Sequence, residues 1–308
     1  MIGVPTYRRT RSALHATRTG VGIAYCGALA LPAFLFESPI VLAGSLAALC
    51  AAATRAGVGR ELARAAALAA PLALLLALVN PIVSQQGLTV LVDGPIVPVL
   101  GNVDVTLEAL LYGAVAGLRV LVVVLAFALY SACVDPDQVL RLVGRVAPRS
   151  ALTASLATRS VPLLDRDGRR LAEAYALRAG VRPAARIRDR VERAAMLTRA
   201  LGAGALERSV ELAAALEVRG YGALGRFPAS GAPWSRHDVA FALTTAALVF
   251  VCVGARFEGV ASFDPYPLLH IDAGPADIAF AGVLPLVALV PFRKGIWKGI
   301  WKGSAARG

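Results

Sequence analysis

Six apolar stretches, separated by short polar breaks and one long polar insert, set the pattern of this chain. The first runs over Val21–Phe36, and Glu37, Ser38 and Pro39 break it before a second run reaches Ala53. A glutamate followed by a proline suits a tight turn between helices, because proline starts a helix well but cannot continue one. The third run, Ala65–Val83, is interrupted near its end by Asn80 and Pro81, and the fourth covers Leu107–Cys133. After the polar insert come Val239–Val253 and Ile278–Pro291. Crossing a bilayer takes roughly 20 apolar residues; the first two and last two runs are shorter than that. The pattern predicts an all-α integral membrane protein with about six transmembrane helices.

Composition supports this reading. Of 308 residues, 57% are hydrophobic and 17% charged, whereas about a quarter are charged in a soluble domain. Disorder is excluded and an ordinary soluble fold disfavoured. The net charge of +12 is placed unevenly: basic residues crowd Tyr7–Arg18, Arg55–Arg64, Arg141–Arg236 and Arg293–Arg307, while Ala65–Leu118 contains no Lys or Arg. With six spans and both termini cytoplasmic, every basic cluster falls inside and the arginine-free loop Ser84–Thr106 falls outside. The predicted location is therefore the cell membrane, multi-pass. The expected division is a basic N-terminus (1–19), four helices (20–133), a cytoplasmic region (134–236), two helices (237–292) and a basic tail (293–308). Arg8, Arg9, Arg11 and Arg18 before Ala28-Leu29-Ala30 also fit a cleaved signal peptide, although a second apolar run follows at once.

The insert, Val134–Arg236, holds 18 arginines against 10 acidic residues, too polar for a membrane yet periodic. Val139, Leu140, Leu142 and Val143 give a helical apolar face, with Asp135 as its N-cap. Leu152, Leu156 and Leu163 continue such a face, and Leu171, Ala174 and Leu177 lead into Arg178-Ala179-Gly180. A further helix, about Arg190–Arg219, carries Leu197, Leu201, Leu206, Val210 and Leu216 and ends at Val218-Arg219-Gly220. Glycine after a last turn is a stop signal. Two long amphipathic helices thus end alike, in an arginine beside small residues. Such an arginine either complements the helix dipole or protrudes as a cation toward an acidic groove on a partner.

These residues resemble the transmembrane coupling subunit (T component, EcfT/CbiQ-like) of energy-coupling factor transporters, a family that includes cobalt-transport permease subunits. Glu217-Val218-Arg219-Gly220 resembles the second coupling motif, with valine for the usual alanine. Glu173-Ala174-Tyr175-Ala176-Leu177-Arg178-Ala179-Gly180 is similar to the first, the arginine flanked by Leu177 and Ala179. Asn80-Pro81 resembles the family's Asn-Pro segment, and Arg159 and Pro162 fit the approach to the coupling region. The resemblance covers about Gly20–Arg226 in the family's order. It implies a membrane scaffold for uptake of a vitamin or transition-metal ion. Its coupling arginines, here Arg178 and Arg219, engage two ATP-binding-cassette ATPases, and it also contacts a small substrate-binding membrane subunit (S component).

Other classes fit less well. There is no HExxH, no GxSxG and no phosphate-binding GxxxxGK[ST], so neither an intramembrane enzyme nor ATP binding by this chain is expected. No cofactor or metal site is expected, since the four cysteines form no CxxC. An arginine-rich insert could contact nucleic acid through phosphates, but its arginines alternate with acids and it has few aromatics, so no nucleic-acid partner is expected. A permease of another ABC-type importer would normally show one coupling segment rather than two. Trp297 and Trp301 among Lys294, Lys298 and Lys302 suggest an anchor on anionic lipid, or an appended segment foreign to the fold.

Overall fold

The computed structural model describes residues 12–83, 90–92, 96–97, 101–102, 105–144, 147–177, 187–220, 234–259, 263–264, 270–271 and 274–292. Contacts divide the chain into two compact units, the described parts of Met1–Val139 with Pro233–Gly308, and those of Leu140–Ala232. The first contains α1 (Thr19–Leu35), α2 (Pro39–Ala56), α3 (Gly59–Val83) and α4 (Leu107–Cys133). Its last two helices are numbered here by chain order after three that lie between: α5 (Pro136–Val143), α6 (Pro148–Ala176) and α7 (Ile187–Val218). They are α8 (Arg236–Phe257) and α9 (Pro275–Leu289), the latter continued by a 3-10 turn to Phe292. Among the described residues, five helices are long and apolar enough to cross a membrane, and α1 is a shorter apolar helix of 17 residues. The fold is that of an all-α membrane protein.

The apolar runs became helices nearly end for end. Pro39 sits at the first turn of α2, where its missing N–H costs nothing. Thr106 caps α4 by accepting from the Ala109 N–H, at 3.4 Å. The basic stretch Arg55–Arg64 is not the loop its charge suggested. Only Gly57 and Val58 separate α2 from α3, so Arg55 closes one helix while Arg60 and Arg64 open the next. Gly57, at φ +76°, makes the sharp reversal in a conformation other residues adopt at a cost. The joins between α3 and α4 and between α8 and α9 contain short antiparallel pairs, such as Ile96–Val97 with Gly101–Asn102. Valine and isoleucine favour that pleated geometry.

Helix pairing in this unit depends on small residues. A Cβ on Gly117 would lie 2.5 Å from the Ala73 carbonyl oxygen, and one on Gly113 2.9 Å from that of Ala77. These contacts run antiparallel and bring the backbones of α3 and α4 together, as small residues spaced by four permit. Gly44 makes the same approach to Ala281, joining α2 and α9. At the other end of α9, the Tyr25 hydroxyl donates to the Ala288 carbonyl at 2.7 Å. Phe241 meets the Tyr25 ring edge-on at 5.0 Å, an arrangement the ring quadrupole favours. Leu72, Leu74, Leu75 and Leu78 of α3 face outward, which lipid tolerates and water would not.

Candidate coupling surface

The second unit is a helical hairpin. In α6, Leu164, Gly168, Leu171 and Tyr175 turn inward, and in α7, Leu197, Leu201 and Ala205 do the same; all are half-buried. The facing residues show that the two helices run antiparallel. Arg193 stacks its guanidinium over the Tyr175 ring at 5.1 Å, Leu201 meets Gly168, and Arg208 pairs with Asp167 at 3.0 Å. Cation–ring stacking and the ion pair both set register at a partly exposed seam. Leu206 and Val210 stand on the far side of α7, each 70% exposed. Leu206 lies nine residues from Leu197, which at 100° per residue puts it opposite the packed face. The seam is therefore narrower than the apolar count predicted. Gly202 and Gly204 have open space where a Cβ would stand, so among the described residues they bring no helix close.

The end of α7 is built to display its last residues. The Arg219 N–H donates to Ala215 at 3.2 Å and the Gly220 N–H to Glu217 at 2.9 Å. Gly220 adopts φ +73°, the left-handed turn that ends helices and favours glycine. Val218 is 90% exposed, and Glu217 and Arg219 are exposed beside it. Among the described residues Arg219 has no ion-pair partner.

At the end of α6, Leu177 is 86% exposed and its N–H donates to Glu173 at 3.0 Å. Ala174 and Glu173 also face outward, so the apolar face read through Leu177 stops at Leu171 and Tyr175. Arg178, Ala179 and Gly180 lie outside the described residues, as does the tail that carries Trp297 and Trp301. Arg159 and the helix-internal Pro162 are exposed midway along α6. From the Tyr175–Arg193 contact to Val218 the axis of α7 extends about 37 Å, so Leu177 and Val218 mark opposite ends of the hairpin.

Asn80 and Pro81 belong to the membrane unit. The Asn80 amide donates to the Ala109 carbonyl at 3.0 Å, tying the end of α3 to the first turn of α4 beside Gly113. Among the described residues no three His, Cys, Asp or Glu side chains are grouped to hold a metal ion.

Comparison with protein families finds a match over most of the chain. The family named CbiQ and described as cobalt transport protein matches residues 10–227. The chain belongs to the CbiQ cobalt transport protein family. The match takes in α1 to α4 and the whole helical hairpin, and leaves α8 and α9 outside. No curated protein matches the chain. A CbiQ chain is a component of a transport system, and this one is a multi-pass membrane protein.

Several interactions of this CbiQ chain have no sequence signal that could have announced them. Arg119 of α4 donates to Glu37 at 3.1 Å and to the Phe36 carbonyl at 3.2 Å, closing the turn between α1 and α2. Asp167–Arg208 and Tyr175–Arg193 join residues that periodicity assigns to faces but cannot assign to each other.

Proposed function

We propose that this chain is the transmembrane scaffold of an energy-coupling-factor importer for a vitamin or transition-metal ion. Residues 134–236 form its coupling region, between helices at 20–133 and 237–292. Two cytoplasmic ATP-binding-cassette ATPases dock on this region, and a small substrate-binding membrane subunit packs against the scaffold. The observation that carries the proposal is the end of α7. An exposed Val218-Arg219-Gly220 turn caps one end of a long hairpin, and the similar Leu177-Arg178-Ala179-Gly180 segment follows its other long helix. Arginine presents a planar, permanently charged fork suited to carboxylates, and two such motifs, one after each long helix of the hairpin, suit two equivalent ATPases rather than one. Arg178 and Arg219 are the docking cations; Glu173, Leu177, Ala179, Gly180, Glu217, Val218 and Gly220 shape their turns.

The orientation follows from charge. The membrane-unit ends bearing Arg18, Arg55, Arg60, Arg64 and Arg236 face the cytoplasm, as do both termini, and the protein resides in the cell membrane. The test is co-purification in mild detergent with the ATP-binding-cassette subunits encoded nearby. Two ATPase modules per scaffold are expected, and their absence would overturn the proposal.

A further inference from the structure

Beyond the docking turns, the chain needs a rigid base if motion of the insert is to reach the membrane. We propose that Ser12–Thr19 is a clamp that fixes both roots of the insert to the membrane helices, with Arg18 and Asp238 as its positioning residues. This rests on the coupling role proposed above.

The segment Ser12–Thr19 touches the chain both where it leaves the membrane and where it returns. On the departing side, His15 Nε2 meets the Ala132 carbonyl in the last turn of α4 at 3.3 Å, while its Nδ1 lies 2.7 Å from the Ser12 hydroxyl. The Thr19 hydroxyl donates to the Gln138 side-chain carbonyl at 2.8 Å, just past the end of that helix. On the returning side, the Arg18 backbone N–H donates to Asp238 Oδ1 at 2.7 Å. The Arg18 guanidinium adds an ion pair at 3.7 Å and stands 5.2 Å over the Trp234 ring.

Asp238 does more than cap its own helix. Its Oδ2 accepts from the Ser235 N–H at 2.9 Å, while its own N–H donates to Ser235 Oγ at 3.1 Å. That reciprocal box already satisfies the start of α8. The second oxygen is directed to a residue 220 positions away, at the N-cap of α1. One carboxylate is thereby shared by two helix N-termini, both of which favour a negative charge. It is also 3% exposed, so water does not readily replace a lost partner. An insert joined to the membrane by two single chain crossings would dissipate displacement if either crossing were loose. The clamp makes α1, α4 and α8 move as one body at the base of the insert.

The test uses the full complex with its ATPases. Amide hydrogen exchange is followed in the insert and in α1, with and without a non-hydrolysable ATP analogue. Arg18 has φ −58°, a value proline adopts, so Arg18→Pro removes the N–H while leaving the α8 cap in place. Asp238→Ala is the second variant, and Arg18→Lys keeps both the N–H and the charge. In the wild type and Arg18→Lys, nucleotide changes exchange in the insert and in α1. In Arg18→Pro and Asp238→Ala, the α1 response falls about fivefold, the shift expected of one lost buried hydrogen bond, while the insert response persists. A merely structural role would lower the yield of complex without changing the α1 response per complex. An unchanged α1 response in both variants, or none in wild type, overturns the clamp. If no ATPase binds the wild type, the coupling role falls first and the clamp falls with it.

Discussion

Arg208 reaches Asp167 across the seam between α7 and α6 at 3.0 Å, an ion pair that joins those two helices. Both partners are partly exposed, so the pair contributes about 0–1 kcal/mol, and its main effect is on register. Asp167→Arg should weaken the hairpin by placing two cations together. Adding Arg208→Asp should restore it. Protease sensitivity of α6 and α7 in the purified protein is the readout, and a double variant no better than the single one would deny the pairing.

Gly117 and Gly202 should respond oppositely to the same change. A Cβ on Gly117 collides with the Ala73 carbonyl, whereas one on Gly202 meets open space. Gly117→Ala should cost about 1–3 kcal/mol through overpacking. Gly202→Ala should stabilise α7 by roughly 0.5–1 kcal/mol through helix propensity. Thermal unfolding in detergent, followed by size exclusion, separates the two. Equal shifts would mean that α3 and α4 do not meet at Gly117.

The turn between α1 and α2 depends on Arg119, which reaches both Glu37 and the Phe36 carbonyl. Arg119→Met keeps the bulk and removes the donors, so it should lower the midpoint of unfolding. Glu37→Gln retains an acceptor and should have the smaller effect. A larger loss from Glu37→Gln would show that the carbonyl contact carries nothing.

Gly220 holds a left-handed turn at φ +73°. Gly220→Ala should cost roughly 1–2 kcal/mol at that one turn and should weaken ATPase binding more than it weakens the helix. Affinity for the ATPase subunit, measured beside α7 helicity, tests this; an unchanged affinity would mean that the turn does not orient Arg219.

The membrane architecture was legible because lipid imposes long apolar runs. Leu107–Cys133 has the same ends in sequence and structure, and the helix read over Arg190–Arg219 is found at Ile187–Val218. The start of α3 was not, because Arg60 and Arg64 read as loop by charge yet occupy its first turns. The exposure of Leu206 was not legible for a different reason: its apolar character is visible in the sequence, but its phase relative to Leu197 decides which side it takes. Within the candidate site, Gly220 announced the end of α7 because a glycine after a helical run has a specific backbone use. The link between Arg18 and Asp238 joins residues 220 positions apart, and no local periodicity encodes such a pair.

The measurement that bears most directly on the proposed coupling role is a charge exchange at Arg219. Arg219→Glu should abolish co-purification of one ATPase module and most nucleotide-driven transport, with the scaffold still folded in the membrane. Replacing the acidic residue that faces it on the ATPase by arginine should restore both. Full binding and transport by Arg219→Glu alone would contradict the account, leaving the turn as a helix cap and nothing more.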